Sequence, residues 1–404
     1  MEKRHPIIVI GGSSCGSFSA FSAAKAGADT IVFEEHEAIG VPSYCAGHLS
    51  LSGLKCLGLL PLSKKVVENE FRNAVFYSPS GKEFSVRFSS PVTCVVHRES
   101  FDQYVAELAM KTGVQYHLGA RVESLVLENN LVKGIVVSHE GKSKKLTSNI
   151  VIDAEGISSN LLKRAGLPTL NRSAVVNAVH AEVDKIDDVE SDEIEVYLGR
   201  QYAPGFYAWI MPKRDGSAKI GLATKMGNPK KYLQEFMHNH PIASKKLKES
   251  KIVKESFHPI TLGGAIHRTY HNGLLIVGDA ASQVKPTTGG GLIFGLLCSK
   301  IAGEVAAKAA KDNDYSAEFL SQYQSRWKRT IGFELAVMRY LRLMLNRLSD
   351  KEFDKLIALC SKFEVGKILE ECGDLDFEGT SLIKMLRRPT TFAVCLTFLL
   401  SSVI

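Results

Sequence analysis

Hydrophobic runs, and the glycines that end them, divide this chain into elements. Pro6, Ile7, Ile8, Val9 and Ile10 form a largely β-branched run that stops at Gly11 and Gly12, so residues 5–11 read as a buried strand. Residues 15–26 place Phe18 and Phe21 among serines and alanines and predict a helix with a small-residue surface, and residues 30–34 return to strand. Strand, helix and strand within about 30 residues make the βαβ unit of a parallel sheet. Residues 98–111 carry Phe101, Tyr104, Val105 and Leu108 at helical spacing, and residues 114–137 read as strands with a turn at 128–130. The stretch 145–154 reads as one more buried strand through Ile150, Val151 and Ile152. Between 170 and 265 the pattern changes. Residues 175–184, 193–198, 206–212 and 219–224 look like strands of a mixed or antiparallel sheet, and 228–240 like a helix. Buried-strand character returns at 273–279, followed by a glycine-rich loop and a long helix at 292–311, and helical period dominates from 315 onward.

Composition changes this picture little. A chain of 404 residues is too long for one small core. Apolar residues make up 45% and charged residues 23%, the balance of a globular protein. A net charge of +7 favours an anionic membrane surface or an acidic substrate and is too weak to argue for nucleic acid. None of the cysteines forms a C-x-x-C pair, so no metal site is expected. Cys15, Cys298 and Cys395 stand in apolar runs and read as small buried hydrophobes. The N-terminus has no secretory pattern, which points to a cytoplasmic, reducing setting. Residues 390–404 are uncharged but short of the roughly 18–20 residues that span a bilayer. They read as a buried or interfacial helix, with a membrane anchor as the alternative.

Three stretches carry chemistry. In the first, Gly11, Gly12, Ser13, Ser14, Cys15 and Gly16 follow a strand and open a helix, the arrangement that lets a backbone and a helix N-terminus approach a pyrophosphate. Ser13 stands where the fingerprint has its middle glycine. Glu34, or Glu35 beside it, ends the second strand where an acid accepts ribose hydroxyls. In the second, Gly278 and Asp279 end a strand, and Pro286, Gly289, Gly290, Gly291 and Leu292 open a helix. Asp279 can accept a sugar-alcohol hydroxyl, and the helix N-terminus offers free N–H groups to a developing negative charge. In the third, Pro204, Phe206, Tyr207, Trp209, Met211 and Pro212 make a greasy aromatic segment. Tyr207 and Trp209 alternate on a strand and share one face, and by pattern alone core packing is favoured for them.

The first two motifs resemble those of FAD enzymes of the glutathione-reductase-like class in its hydroxylase-type branch. Arg98, Phe101 and Asp102 are similar to that branch's R-x-x-F-D segment, and Asp153, Gly156 and Ser158 to its D-A-x-G-x-x-S segment. The third motif resembles P-x-x-Y-x-W-x-F-P of the geranylgeranyl reductase family, with Met211 in place of Phe. Tyr44, Cys45, Ala46 and Gly47 resemble a cysteine-bearing segment that the family places near the flavin. The resemblance implies an α/β fold, namely a Rossmann-type FAD-binding domain split in sequence (1–166 and 267–312). An inserted α+β substrate domain on a mixed or antiparallel sheet (167–266) and a helical C-terminal region (313–404) complete it. It implies FAD held by the two glycine motifs with Arg98, Val122, Asp153, Gly156 and the Cys45–Gly47 segment. It also implies Cys45, Tyr207 and Trp209 at the reacting centre and a prenylated lipid bound along 204–212. Electrons would come from NAD(P)H, a deazaflavin or a small redox protein, with the enzyme peripheral at a membrane. A flavin monooxygenase of an apolar compound, a reductase of a quinone tail or chlorophyll side chain, and a flavin- or lipid-binding protein without turnover are the alternatives.

Overall fold

The computed structural model describes residues 6–372 and 376–388. The chain divides into two units, residues 1–43, 98–174 and 261–335 in one and 44–97, 175–260 and 336–404 in the other.

The first unit is built on a six-stranded sheet. Its order is Tyr270–His271, Leu274–Ile276, Val151–Asp153, Ile7–Ile10, Thr30–Phe33 and Gln115–His117. All its pairings are parallel except that of the short edge strand Tyr270–His271. The central strands are apolar throughout because a parallel sheet is covered on both faces. The helices Ser14–Lys25 and Leu292–Asp312 pack closely through small residues: a Cβ on Gly303 would collide with the Ser19 carbonyl and the Ser22 side chain. A separate antiparallel sheet is formed by Ala120–Glu128, Leu131–His139 and Lys142–Thr147.

In the second unit a seven-stranded sheet runs Ile252–Thr261, Val175–Val183, Ala218–Thr224, Tyr207–Pro212, Glu193–Leu198, Asn73–Tyr77 and Glu83–Arg87. One face is closed by the helix Pro229–Asn239, whose Leu233, Phe236 and Met237 join Ala208, Ile210, Ile220, Leu222 and Tyr197 in the core. A three-stranded sheet of His48–Ser50, Val67–Phe71 and Thr93–Val96 belongs to the same unit.

Several expectations change. Residues 44–97 leave the expected cofactor domain because Asn73–Tyr77 pairs in parallel with Glu193–Leu198. Residues 313–335 stay with the first unit: the Tyr323 hydroxyl donates to the Ile276 carbonyl at 2.8 Å and the Trp327 indole donates to Thr269 Oγ1 at 2.9 Å. Later helices join the second unit, where the Arg200 amide donates to Asp350 at 2.5 Å and the Ser80 amide to Asp354 at 3.1 Å. The stretch 145–154 is two strands: Lys142–Thr147 is a largely exposed edge and Val151–Asp153 is fully buried. Ser148 ends the first by donating to the Pro6 carbonyl at 2.7 Å. The strands between 48 and 96, and Ile252–Thr261, have no counterpart in the sequence reading because their apolar alternation is weak. Cys298 is buried as expected, whereas Cys15 is half-buried, and the desolvation of its thiol pushes it up to about 12. Cys395 and residues 390–404 lie outside the described residues. Among the described residues no helix is long and apolar enough to cross a membrane.

Two buried histidines make the second unit acid-sensitive. Burial lowers His180 to about 4, with Lys219 adding to the effect. Burial also lowers His240 to about 4, and its Nδ1 accepts from the Ile242 and Ala243 amides at 3.2 Å each. An unfolded histidine titrates near 6.5. Between 6.5 and 4 the unfolded chain therefore binds more protons, and stability is full above that window and falls as pH drops through it. Each histidine accounts for about 3 kcal/mol at the acid end. The melting temperature should fall steeply from pH 6.5 to 4, and His240→Leu should flatten the slope.

Candidate functional site

The first glycine motif turns where the strand Ile7–Ile10 meets the helix Ser14–Lys25. Gly11 has φ of +93°, and a Cβ there would lie 2.6 Å from the Ala154 carbonyl oxygen. A Cβ on Gly16 would overlap the Gly11 carbonyl oxygen. Ser13 is the N-cap residue but its own side chain makes no capping bond. Glu34 and Glu35 differ in where their carboxylates point. That of Glu34 accepts from the Gly12 amide at 2.6 Å and the His36 amide at 3.0 Å, whereas Glu35 turns outward to Arg121 at 3.5 Å. The Ala120 amide donates to the Glu34 carbonyl at 2.8 Å, which brings the strand carrying Val122 beside this acid.

Arg98 opens the helix Arg98–Met110 and forks onto Asp102 at 3.0 and 3.1 Å. The same Asp102 oxygen takes the Ser14 amide at 3.0 Å and the Ser14 hydroxyl. Asp102, in the sequence only one letter of the R-x-x-F-D pattern, is the anchor that holds Arg98 at the start of the first helix. Asp153 is fully buried, and burial raises its carboxyl well above the usual carboxylate range. Its neighbour Glu155 caps the helix Asn160–Arg164, accepting from the Asn160 amide at 2.7 Å. Gly156 has φ of +77° and open space where a Cβ would point.

The second motif folds against the first. A Cβ on Gly278 would lie 3.0 Å from Cys15 Sγ and one on Gly295 2.6 Å from it, so Cys15 is the contact between the two. Asp279 Oδ1 would stand 3.0 Å from a Cβ on Gly291, the N-cap residue of Leu292–Asp312, which lacks a side-chain cap. Pro286, Gly289 and Gly290 form the loop before it, closed by the Gly289 amide on the Lys285 carbonyl at 2.8 Å. Two helix N-termini, glycines with no room for a Cβ, and the acids Glu34 and Asp279 together fit a dinucleotide carrying a pyrophosphate and an electron-accepting ring.

In the second unit Tyr207, Trp209 and Met211 stand on the sheet face opposite the helix-covered core. Across that face Trp209, Gly221 and His180 are in register. The indole leans over Gly221, where a Cβ would come within 2.5 Å of Trp209 Cζ2. Trp209 Nε1 and His180 Nδ1 are buried, and neither bonds to another protein group. A tryptophan of an ordinary core pairs its N–H, so this row has the marks of a site.

Phe206 stacks on Tyr207 at 4.3 Å, and Pro212 ends the strand with its carbonyl accepting from Asn69 at 2.9 Å. The Pro204 carbonyl accepts from the Lys225 amide at 2.8 Å. Arg342, missed in the sequence, is buried with its guanidinium 4.9 Å from the Phe206 ring. Burial lowers it to about 10. Burial of the Tyr207 hydroxyl raises its phenol, and Arg342 works against that rise. The one sequence signal for Arg342 is its place on the stripe Leu335, Met338, Arg342, where the pattern calls for an apolar residue.

Cys45, Ala46 and Gly47 belong to the second unit. The Gly47 amide approaches Cys45 Sγ at 3.4 Å. Lys219, itself buried, donates to the Ala46 carbonyl at 3.2 Å and the Val96 carbonyl at 2.9 Å, and pairs with Glu68. It thus tethers the cysteine segment to the same sheet as Trp209.

The family described as FAD binding domain matches residues 4–312. The chain is 32% identical to digeranylgeranylglycerophospholipid reductase 2 of Methanopyrus kandleri, over 90% of this chain and 92% of that protein. It is 33% identical to digeranylgeranylglycerophospholipid reductase of Methanocaldococcus jannaschii, over 87% of this chain and 89% of that protein. A crystal structure of a geranylgeranyl bacteriochlorophyll reductase-like protein from Thermoplasma acidophilum resembles it with a TM-score of 0.87 at 26% identity, covering 98% of this chain and 99% of that one.

Proposed function

We propose, since this chain belongs to the digeranylgeranylglycerophospholipid reductase family of FAD-binding proteins, that it hydrogenates the C=C bonds of geranylgeranyl chains in archaeal-type membrane lipids or their precursors. The observation that carries the reading to this chain's own residues is the row of Tyr207, Trp209 and Met211 on the sheet face away from the core, with the indole N–H unpaired.

The residues that would hold FAD are in the first unit. The N-terminus at Ser13 and Ser14 would face the pyrophosphate and Glu34 would take the ribose hydroxyls. Asp279 would take the sugar-alcohol chain, and the N-terminus at Gly291 and Leu292 would serve the ring edge that gains negative charge. When bound and reduced, FAD would supply the hydride for one alkene carbon, and a proton from this chain's residues or water would complete the exchange of the π bond for two C–H bonds.

The remaining work falls to the second unit. The aromatic row binds the chain at about 0.8 kcal/mol per buried CH2 and excludes water. Tyr207 keeps its proton through neutral pH, and Arg342 beside it would balance the phenolate left by proton transfer. Cys45, held by the Lys219 tether, is the second proton source on this chain. NAD(P)H, a deazaflavin or a small redox protein would reduce the flavin, and the lipid substrate would be met at a membrane surface.

The test is to incubate the reduced protein with a digeranylgeranylglycerol phospholipid and follow the lipid by mass spectrometry. The expected result is a ladder of added hydrogen molecules, one per double bond. Stoichiometric oxygen uptake with a hydroxylated or epoxidised lipid would replace the reductase reading with a monooxygenase. Bound flavin that no prenyl lipid reoxidises would leave a binding protein.

A further inference from the structure

The helix Phe333–Leu345 carries two apolar faces. The inner one bears Leu335, Met338 and the buried Arg342 that stacks on Phe206. The outer one exposes Phe333 (51%), Tyr340 (70%) and Leu343 (51%), with Ala336 exposed between them, which is the spacing of one helical stripe. Arg339 is exposed on the helix and Arg347 in the turn just past its end. The helix's one acid, Glu334, is buried. The outer face is therefore apolar and purely cationic, on a chain whose net charge is +7.

We propose that this face is the membrane-docking surface and that it seats on an anionic lipid surface. Tyr340 and Leu343 would enter the headgroup–acyl boundary while Arg339 and Arg347 contact lipid phosphates. An aromatic and aliphatic stripe flanked by arginines, without an accessible acid, complements such a surface in polarity and in charge. The same helix touches the aromatic segment from its other side, so a chain leaving the bilayer would meet Phe206 and Tyr207 within about one helix diameter, 10–12 Å. That route gives a lipid-reducing enzyme a short transfer path, and to this extent the proposal rests on the function proposed above.

The test uses the full-length, FAD-loaded protein and vesicles free of isoprenoid lipid, so that binding is read independently of turnover. The wild type should float with phosphatidylglycerol vesicles and far less with phosphatidylcholine vesicles. Tyr340→Glu combined with Leu343→Glu should lower partitioning roughly tenfold or more, with flavin content and melting temperature unchanged. Arg339→Gln combined with Arg347→Gln leaves the apolar stripe intact and should remove the anionic preference, roughly fivefold or more in partitioning, with added salt acting in the same direction. Wild-type partitioning by both variant pairs would overturn the proposal. So would a wild-type dimer in gel filtration that the Tyr340→Glu/Leu343→Glu protein breaks while vesicle binding persists, which would make the face a contact between two copies. Vesicle binding that behaves as expected in a protein that reduces no prenyl chain would keep the docking surface and reject the substrate reading.

Discussion

Gly16→Ala should yield a folded protein that purifies colourless. The added methyl overlaps the Gly11 carbonyl oxygen and also lies 3.4 Å from Ala154 Cβ, so the helix must retreat from the strand end. Both contacts are rigid, one to backbone and one to a core side chain, and neither can rotate aside. Overpacking of this kind costs about 1–3 kcal/mol in a core. Here the displaced part is also the helix N-terminus offered to the pyrophosphate. We expect FAD binding to weaken roughly a hundredfold, about 3 kcal/mol, measured by flavin absorbance after gel filtration and by titration of the apoprotein. Asp279→Ala provides the same readout without a steric clash, since it removes a carboxylate and adds no atom. Stoichiometric flavin in both variants would mean that these motifs are turns and that the cofactor is held elsewhere.

The elements legible in the sequence were those whose signal is local. The strand Ile7–Ile10 and the turn at Gly11 could be read because a buried parallel strand is a continuous apolar run and its close approach to a helix demands glycine. Glu193–Leu198 and Leu292–Asp312 followed from period alone. The division of the chain was not legible. Residues 44–97 join the second unit through a parallel pairing of Asn73–Tyr77 with a strand more than a hundred residues away, and no local pattern encodes that partner. The motifs gave the site's residue types but not its supports. Asp102 was visible only as part of a pattern, and its oxygen turns out to join Arg98 to Ser14. Lys219 sat in an apolar strand as an apparent interruption, and the fold uses it as the tether of the Cys45 segment. Arg342 interrupted a helical stripe in the same way. In each case a charge stands at a buried position, and a partner lies far along the chain.

Trp209→Ala should separate the two units' roles: FAD retained at wild-type stoichiometry, prenyl-chain reduction lost by roughly a hundredfold or more. The indole contributes the largest apolar surface of the row, and its removal leaves a reacting double bond free to shift; a displacement of about 1 Å from an aligned geometry costs on the order of a hundredfold in rate. Removing so large a side chain also costs stability, about 3 kcal/mol if the site does not relax, so the melting temperature must be recorded beside the activity. Gly221→Ala makes the same test from the other side without deleting the ring. Its Cβ would press within 2.5 Å of both Trp209 Cζ2 and the Val179 carbonyl oxygen, so the indole must swing off its seat. The expected signature is a raised KM for the long prenyl chain with flavin reduction by the electron donor unchanged, because nothing in the first unit has been touched. Full prenyl reduction by both variants would return Trp209 to the core and take the 204–212 strand out of the site.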